Sequence, residues 1–332
     1  MTARASLLFV LISAAAQAAS PCTAAKPECT EWIVFGGGPA RSLIYRTHAL
    51  DTRDAAVVRA LIVIHGMNRD ADNYFKDATA AAFLAGALED TVVIAPRIAS
   101  AAGGSCRDVL APNEVSWPCN IWRSGGAAVS DAKVTSFDFT DEILRQLASK
   151  AAFPNLKAIV VTGHSAGGQY AERYAMSNTV HEKLGVPVTY VVSNPSSYAY
   201  LDALRPAADA AAFAPYADAA NCPTYDRWPY GLQNRVGYTS QIGEGQLKRQ
   251  MASRPVTYLL GELDTLPLAG FDSSCPAMAQ GPSRLARGQS WAKYVNQQFG
   301  AHHQVVVVPM CGHNARCMYT SDAALPVLFP KP

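Results

Sequence analysis

The sequence predicts an α/β fold: a mostly parallel sheet with helices on both faces and a small cap insertion. Three observations carry that prediction. Short apolar runs such as residues 60–65 (ALIVIH) and 186–193 (VPVTYVVS) recur along the chain, as strands buried on both faces require. Segments with helical spacing alternate with them, the order that builds a parallel sheet through crossover helices. One strand-to-helix joint, residues 156–176 (LKAIVVTGHSAGGQYAERYAM), carries a serine between paired glycines.

The 332 residues are 49% apolar and 16% charged, enough for one substantial core. A net charge of +2 is too small to suggest a nucleic-acid partner. Residues 1–18 read as a cleaved signal peptide. Arg4 supplies the positive start, residues 7–15 an apolar stretch too short to span a bilayer, and Ala16-Gln17-Ala18 a small-x-small cleavage site. Pro21 stands before Cys22, where a lipid-anchor site wants a small residue. Past the N-terminus no apolar run reaches the length of a spanning helix. The expectation is a secreted or periplasmic chain without a membrane anchor, its globular domain covering residues 19–332. The eight cysteines then read as disulfides. Near neighbours suggest Cys22–Cys29, Cys106–Cys119 and Cys311–Cys317, which leaves Cys222–Cys275. The Cys311/Cys317 pair has no second Cys/His cluster nearby in sequence, so it does not read as a metal site.

In chain order, residues 31–36 and 42–47 form a hairpin, turning through Gly36-Gly37-Gly38-Pro39. Residues 60–65 form a central strand ending in His65-Gly66-Met67-Asn68. Residues 70–88 have helical spacing, with Asp70 or Asp72 as N-cap. Residues 91–96 form another buried strand. The loop 97–130 is long enough to expect function in it. Residues 137–147 form a helix leading into the serine-bearing joint, and residues 186–193 the next strand. Residues 200–254, rich in Ala, Pro, Tyr and Asn, read as an insertion capping the sheet. The sheet resumes at 255–261, followed by a helix at 284–299 and a last strand at 303–309.

In the joint, Gly163 and Gly167 flank Ser165 at minus two and plus two. Removing those Cβ atoms permits so sharp a turn, and the turn lifts the hydroxyl clear of the sheet. The Ala166 N–H, at a helix N-terminus, is aimed where an oxyanion would form. A serine nucleophile needs a base within hydrogen-bond reach and an acid to orient that base. Asp264, just past the strand 255–261, is the acid, with Glu262 in reserve. His313 follows the last strand and is the base. His302 and His303 lie at that strand's other end, His48 comes too early, and His181 sits past the nucleophile helix. The loop after residues 60–65 offers a second oxyanion donor, the Met67 N–H, with Asn68 as the alternative.

The order strand–His-Gly, strand–Gly-x-Ser-x-Gly–helix, strand–Asp, strand–His resembles the α/β-hydrolase superfamily over nearly all of the mature chain. The order Ser165, Asp264, His313 matches its triad order. The resemblance implies an α/β-hydrolase fold, with an eight-stranded sheet whose second strand is antiparallel and active-site loops at the strand C-termini. Met67 and Asn68 after His65-Gly66 depart from the repeated-glycine motif of one esterase group. The chain is also loosely similar to secreted polymer-degrading members, such as polyester depolymerases and poly(aspartic acid) hydrolases.

Trp122 and Arg123 in the long loop, and Ser196 and Tyr198 after the strand 186–193, are the expected substrate-binding residues. Trp117, Trp228, Tyr230, Arg284, Arg287 and Arg316 are further contributors. Aromatics suit an extended apolar surface and arginines a carboxylate. The expected function is an exported serine hydrolase cleaving small or polymeric carboxylic esters through an acyl-enzyme, without a cofactor. The rivals are an amide hydrolase of an anionic polymer such as poly(aspartic acid), and a non-catalytic binding module on the same fold.

Overall fold

The structure is a computed structural model that describes residues 20–207, 212–268 and 270–331. The signal-peptide reading of residues 1–18 lies outside the described residues. The N-terminal hairpin is β1 (Thr30–Val34) and β2 (Arg41–Arg46), antiparallel, with Val34 opposite Arg41. Gly36 and Gly37 turn it with φ of +72° each, a conformation side-chain-bearing residues avoid. β3 (Arg59–Ile64) leads to α1 (Ala71–Leu84), then β4 (Thr91–Pro96). Asp70 occupies the N-cap position of α1. The helix stops four residues short of the expected 88, because Gly86 takes a left-handed φ of +63° and breaks the repeat.

A 3-10 turn, Ile121–Ser124, interrupts the long loop before α2 (Ser136–Leu147). Thr135 and Asp138 cap α2 reciprocally, each side chain accepting the other's backbone N–H. Then come β5 (Ala158–His164), α3 (Ala166–Ser177) and β6 (Val188–Ser193). Residues 200–254 hold the short antiparallel pair β7 (Leu204–Pro206) and β8 (Phe213–Pro215), and α4 (Glu244–Ser253). α4 buries Leu247 and Met251 in the core it shares with α3. The chain closes with β9 (Val256–Gly261), α5 (Cys275–Met278), α6 (Arg284–Phe299), β10 (Gln304–Val308), α7 (Ala315–Tyr319) and α8 (Leu325–Leu328).

Eight strands form one sheet in the order β1-β2-β4-β3-β5-β6-β9-β10. β2 is antiparallel to both its neighbours, and every pairing from β4 to β10 is parallel. Alternate residues of the central strands enter two cores. Ile62, Ile94, Val161, Val192 and Leu260 face the core under α2, α3, α4 and α6. Leu61, Val93, Val160, Val191 and Leu259 face the core under α1, α7 and α8. This explains why the strand sequences are apolar throughout instead of alternating. β10 differs because it is the sheet edge, and Val305 and Val307 are exposed there. The four disulfides pair Cys22–Cys29, Cys106–Cys119, Cys222–Cys275 and Cys311–Cys317. No helix among the described residues is long and apolar enough to cross a membrane.

Candidate active site

β5 ends at the centre of the sheet, and Ser165 is the first residue beyond it. Its φ of +61° and ψ of −119° are costly for a residue with a side chain, so the surroundings must impose them. A Cβ on Gly163 would lie 2.2 Å from the Gly167 carbonyl oxygen, and one on Gly167 would lie 2.2 Å from that of Ile64. The two glycines let α3 start directly against β3 and β5. The Ser165 N–H donates to Ser193 O at 3.0 Å, and its carbonyl accepts from Gln169 N at 3.0 Å. The backbone is thereby pinned between β6 and the first turn of α3.

His313 arrives from the loop after β10. Its Nε2 lies 2.9 Å from Ser165 Oγ and its Nδ1 lies 2.8 Å from Asp264 Oδ2. An ionised carboxylate accepts only, so the neutral ring carries its proton on Nδ1, and Nε2 is left to accept from the serine hydroxyl. Asp264 is fully buried. Its carbonyl takes Leu285 N–H at 3.2 Å from the first turn of α6, and its Oδ1 lies 3.4 Å from Arg284 Nη1. Glu262, the reserve acid, faces elsewhere and accepts Met310 N–H at 2.9 Å. It braces the start of the histidine loop instead of meeting the ring.

Asn194 joins the two loops. Its Oδ1 accepts Gly261 N–H at 2.8 Å and its Nδ2 donates to Gly312 O at 3.3 Å. The Cys311–Cys317 disulfide and the Asn314 cap on Cys317 N–H close the other side. His164 packs under the base with ring centres 4.6 Å apart. Burial pulls its pKa well below the usual imidazole range, and the charges of His313 and Arg284 push the same way.

His65 is also buried, and burial lowers it to about 4. Its Nε2 accepts Ile98 N–H at 3.1 Å, so Nδ1 carries the proton and donates to Gly66 O at 2.9 Å. That bond fixes the turn preceding Met67. Neither Met67 N–H nor Ala166 N–H donates to an acceptor among the described residues. A cavity of about 380 Å³ opens beside these groups, lined by Met67, Ser165, His313, Asp70, Asn314 and Arg316 among others.

The expected substrate residues fare differently. Trp122 is buried edge-on against His65 at 4.9 Å and donates to Cys119 O. Tyr198 is buried and stacked on Trp291. Trp117 is buried as well. These three are packing residues, each with its ring almost wholly removed from solvent. Ser196 is buried, with Oγ taking Arg284 Nε at 2.7 Å. Arg284 and Arg287 are buried around Phe271, and Arg316 is exposed, 3.9 Å from Asp77. Arg123 is half-buried. The contacts of Asn194 and Arg284 with the acid and base loops had no sequence signal. Both depend on which strands become neighbours.

Residues 61–326 match the profile described as Alpha/beta hydrolase family. Among solved structures, poly(aspartic acid) hydrolase-1 from Sphingomonas sp. KT-1 superposes with a TM-score of 0.61 at 20% identity, covering 87% of this chain and 95% of that one. LpqC, a poly(3-hydroxybutyrate) depolymerase from Bordetella parapertussis, superposes with a TM-score of 0.58 at 20% identity, covering 87% and 84%. At that identity the likeness is one of fold. A search of curated protein sequences finds no match.

Proposed function

Starting from the fact that this chain belongs to the alpha/beta hydrolase family, we propose that it is an exported serine hydrolase cleaving carboxylic esters through an acyl-enzyme. Ser165 Oγ attacks the carbonyl, and His313 Nε2 takes its proton and returns it to the leaving group. Asp264 holds the ring in the Nδ1–H tautomer and stabilises the imidazolium. The N–H groups of Met67 and Ala166 receive the oxyanion, and water then releases the acid by the reverse proton path. The observation that carries this reading is the unbroken chain Ser165 Oγ–His313 Nε2 at 2.9 Å and His313 Nδ1–Asp264 Oδ2 at 2.8 Å. Two unspent backbone N–H groups beside the serine support it further.

A fluorophosphonate probe tests the nucleophile. The wild type should label and Ser165→Ala should not; equal labelling would remove the assignment, and a wild type that does not label would restore the binding-module reading. Hydrolysis of short p-nitrophenyl esters, a polyester film and polyaspartate then tests the bond cleaved. Rapid polyaspartate cleavage with negligible ester turnover would replace ester cleavage by amide cleavage in an anionic polymer. Export is supported by four disulfides, which persist outside reducing compartments. N-terminal sequencing of the protein recovered outside the cytoplasm should start near residue 19.

A further inference from the structure

Arg284 is the first residue of α6 and is fully buried. A guanidinium seldom leaves water without a charge to meet. Among the described residues its one carboxylate is Asp264, with Nη1 3.4 Å from Oδ1. Nε donates to Ser196 Oγ at 2.7 Å, Cζ lies 5.2 Å from the centre of the Phe271 ring, and Nη2 has no partner. Asp264 in turn pairs with two basic groups among the described residues, His313 and Arg284. Arg205 and Arg254 are buried too and hold acids, but there the acid reaches solvent: the side chains of Asp226 and Glu182 are 11% and 59% exposed. Those of Asp264 and Arg284 are both 0% exposed. With water kept from both, each is the other's compensation.

Packing fixes the placement. Gly288 lets α6 lie close against β9, since a Cβ there would come 2.5 Å from Leu260 Cδ2. The first turn of α6 reaches the loop after β9, where Leu285 N–H donates to the Asp264 carbonyl at 3.2 Å. The positive end of the helix thus faces the acid as well. Ser196, which takes Arg284 Nε, follows β6 and donates to Gly270 O at 3.3 Å. The loops after β6 and β9 therefore meet at this guanidinium.

We propose that Arg284 is a positioning residue of the triad, orienting the Asp264 carboxylate toward His313 and compensating its buried charge. The proposal rests on Ser165, Asp264 and His313 being the triad, and its test separates the two. A proton on His313 adds positive charge to a pair that already faces the guanidinium. Removing Arg284 makes that addition easier, so the acid limb of kcat/KM against pH moves to higher pH. The limb belongs to the Asp264–His313 pair as a unit.

The other groups about the pair are the same in every variant. His164, under the ring, is buried and held well below the usual imidazole range. Tyr198, on which the charge of Asp264 acts, is pushed by burial well above the usual phenol range. Glu262 is engaged with Met310 N–H. Arg287 donates to the carbonyls of Ser196, Asp272 and Gly281, and the charge of Asp272 acts on both arginines. Asp70, Asp77 and Arg316 line the cavity that His313 borders.

Hydrolysis of p-nitrophenyl butyrate from about pH 5 to 9 reads both kcat and the limb. Arg284→Gln should move the acid limb up by about one pH unit and lower kcat on the plateau by about tenfold. Arg284→Lys keeps the charge and loses the planar fork, so its limb should stay within about 0.3 unit of the wild type while kcat falls by about threefold. An unmoved limb in Arg284→Gln or, if that variant does not fold, wild-type kcat in Arg284→Lys overturns the proposal and leaves Arg284 a structural tie between α6 and the loop after β9. Titration of the His313 ring by NMR in Ser165→Ala gives a readout without turnover. A midpoint that rises with Arg284→Gln on that background, with no ester cleaved by the wild type, upholds Arg284 and removes the nucleophile. Ester turnover by the wild type with an unmoved midpoint does the reverse.

Discussion

His164 and His313 stand with ring centres 4.6 Å apart, each following a glycine in the sequence, yet their surroundings are opposite. Both line the cavity, but His313 has both nitrogens engaged, one by Asp264 and one by Ser165. His164 is buried, with Nε2 unpartnered and Nδ1 only 3.4 Å from Tyr74 Oη. No carboxylate pairs with His164 among the described residues, so a proton there would be an uncompensated buried charge. Gly-His-Ser and Gly-His-Asn look alike in sequence. What makes one ring a base is an acid delivered from another strand, and β9 delivers it to His313 alone.

The widest test of that contrast is a pair of substitutions. His313→Ala should lower kcat/KM by about 10⁴-fold or more, whereas His164→Asn should lower it by about tenfold or less. Steady-state kinetics on one ester reads both, and equal losses would put His164 on the proton path. The acid comes next. Asp264→Asn should cost about 10⁴ in kcat, because an amide can hold the ring in the wrong tautomer. Glu262→Gln, which only loosens the Met310 contact, should cost about threefold or less. A larger loss at Glu262 than at Asp264 would exchange their places.

Ser165, Asp264 and His313 share one property: their position relative to a strand end fixes their place in space. Ser165 follows β5, Asp264 lies three residues past β9, and His313 five past β10. A parallel sheet brings such ends together whatever the side chains are. The wall residues have no such rule. Trp122 and Tyr198 lie on active-face loops yet point into the core, because His65 and Trp291 offer them rings to cover. Arg284 looks in sequence like one more surface cation of a helix. Its tie to Asp264 exists only because α6 starts against the loop after β9.

A smaller effect concerns how firmly His313 is held. The Cys311–Cys317 loop spans six residues, and closing so short a loop contributes roughly 2 kcal/mol in the chain-entropy account. That is too little to unfold a sheet of eight strands but enough to loosen the base. Cys311→Ser/Cys317→Ser should therefore lose about tenfold in kcat while the far-ultraviolet circular dichroism stays native. Lost activity that tracks lost ellipticity would make the disulfide a general staple with no special bearing on His313.

The smallest effect is on stability against pH. His164 is held well below the usual range, and burial lowers His65 and His303 to about 4. Between about pH 4 and 6.5 the unfolded chain binds protons that these rings refuse, so each contributes stability that is lost as pH falls through that window. Buried carboxyls act with the opposite sign. Burial raises Glu172 to about 7 and Asp141 to about 6. The folded chain keeps protons there that the unfolded chain releases, and the associated stability is lost as pH rises through the folded pKa. Each proton is worth about 1.4 kcal/mol per pH unit at most. Urea unfolding measured from pH 4.5 to 7 should thus show His164→Asn flattening the rise of stability with pH and Glu172→Gln steepening it. A slope left unchanged or made steeper by His164→Asn would mean that His164 takes up a proton in the folded state, and the contrast with His313 would be lost.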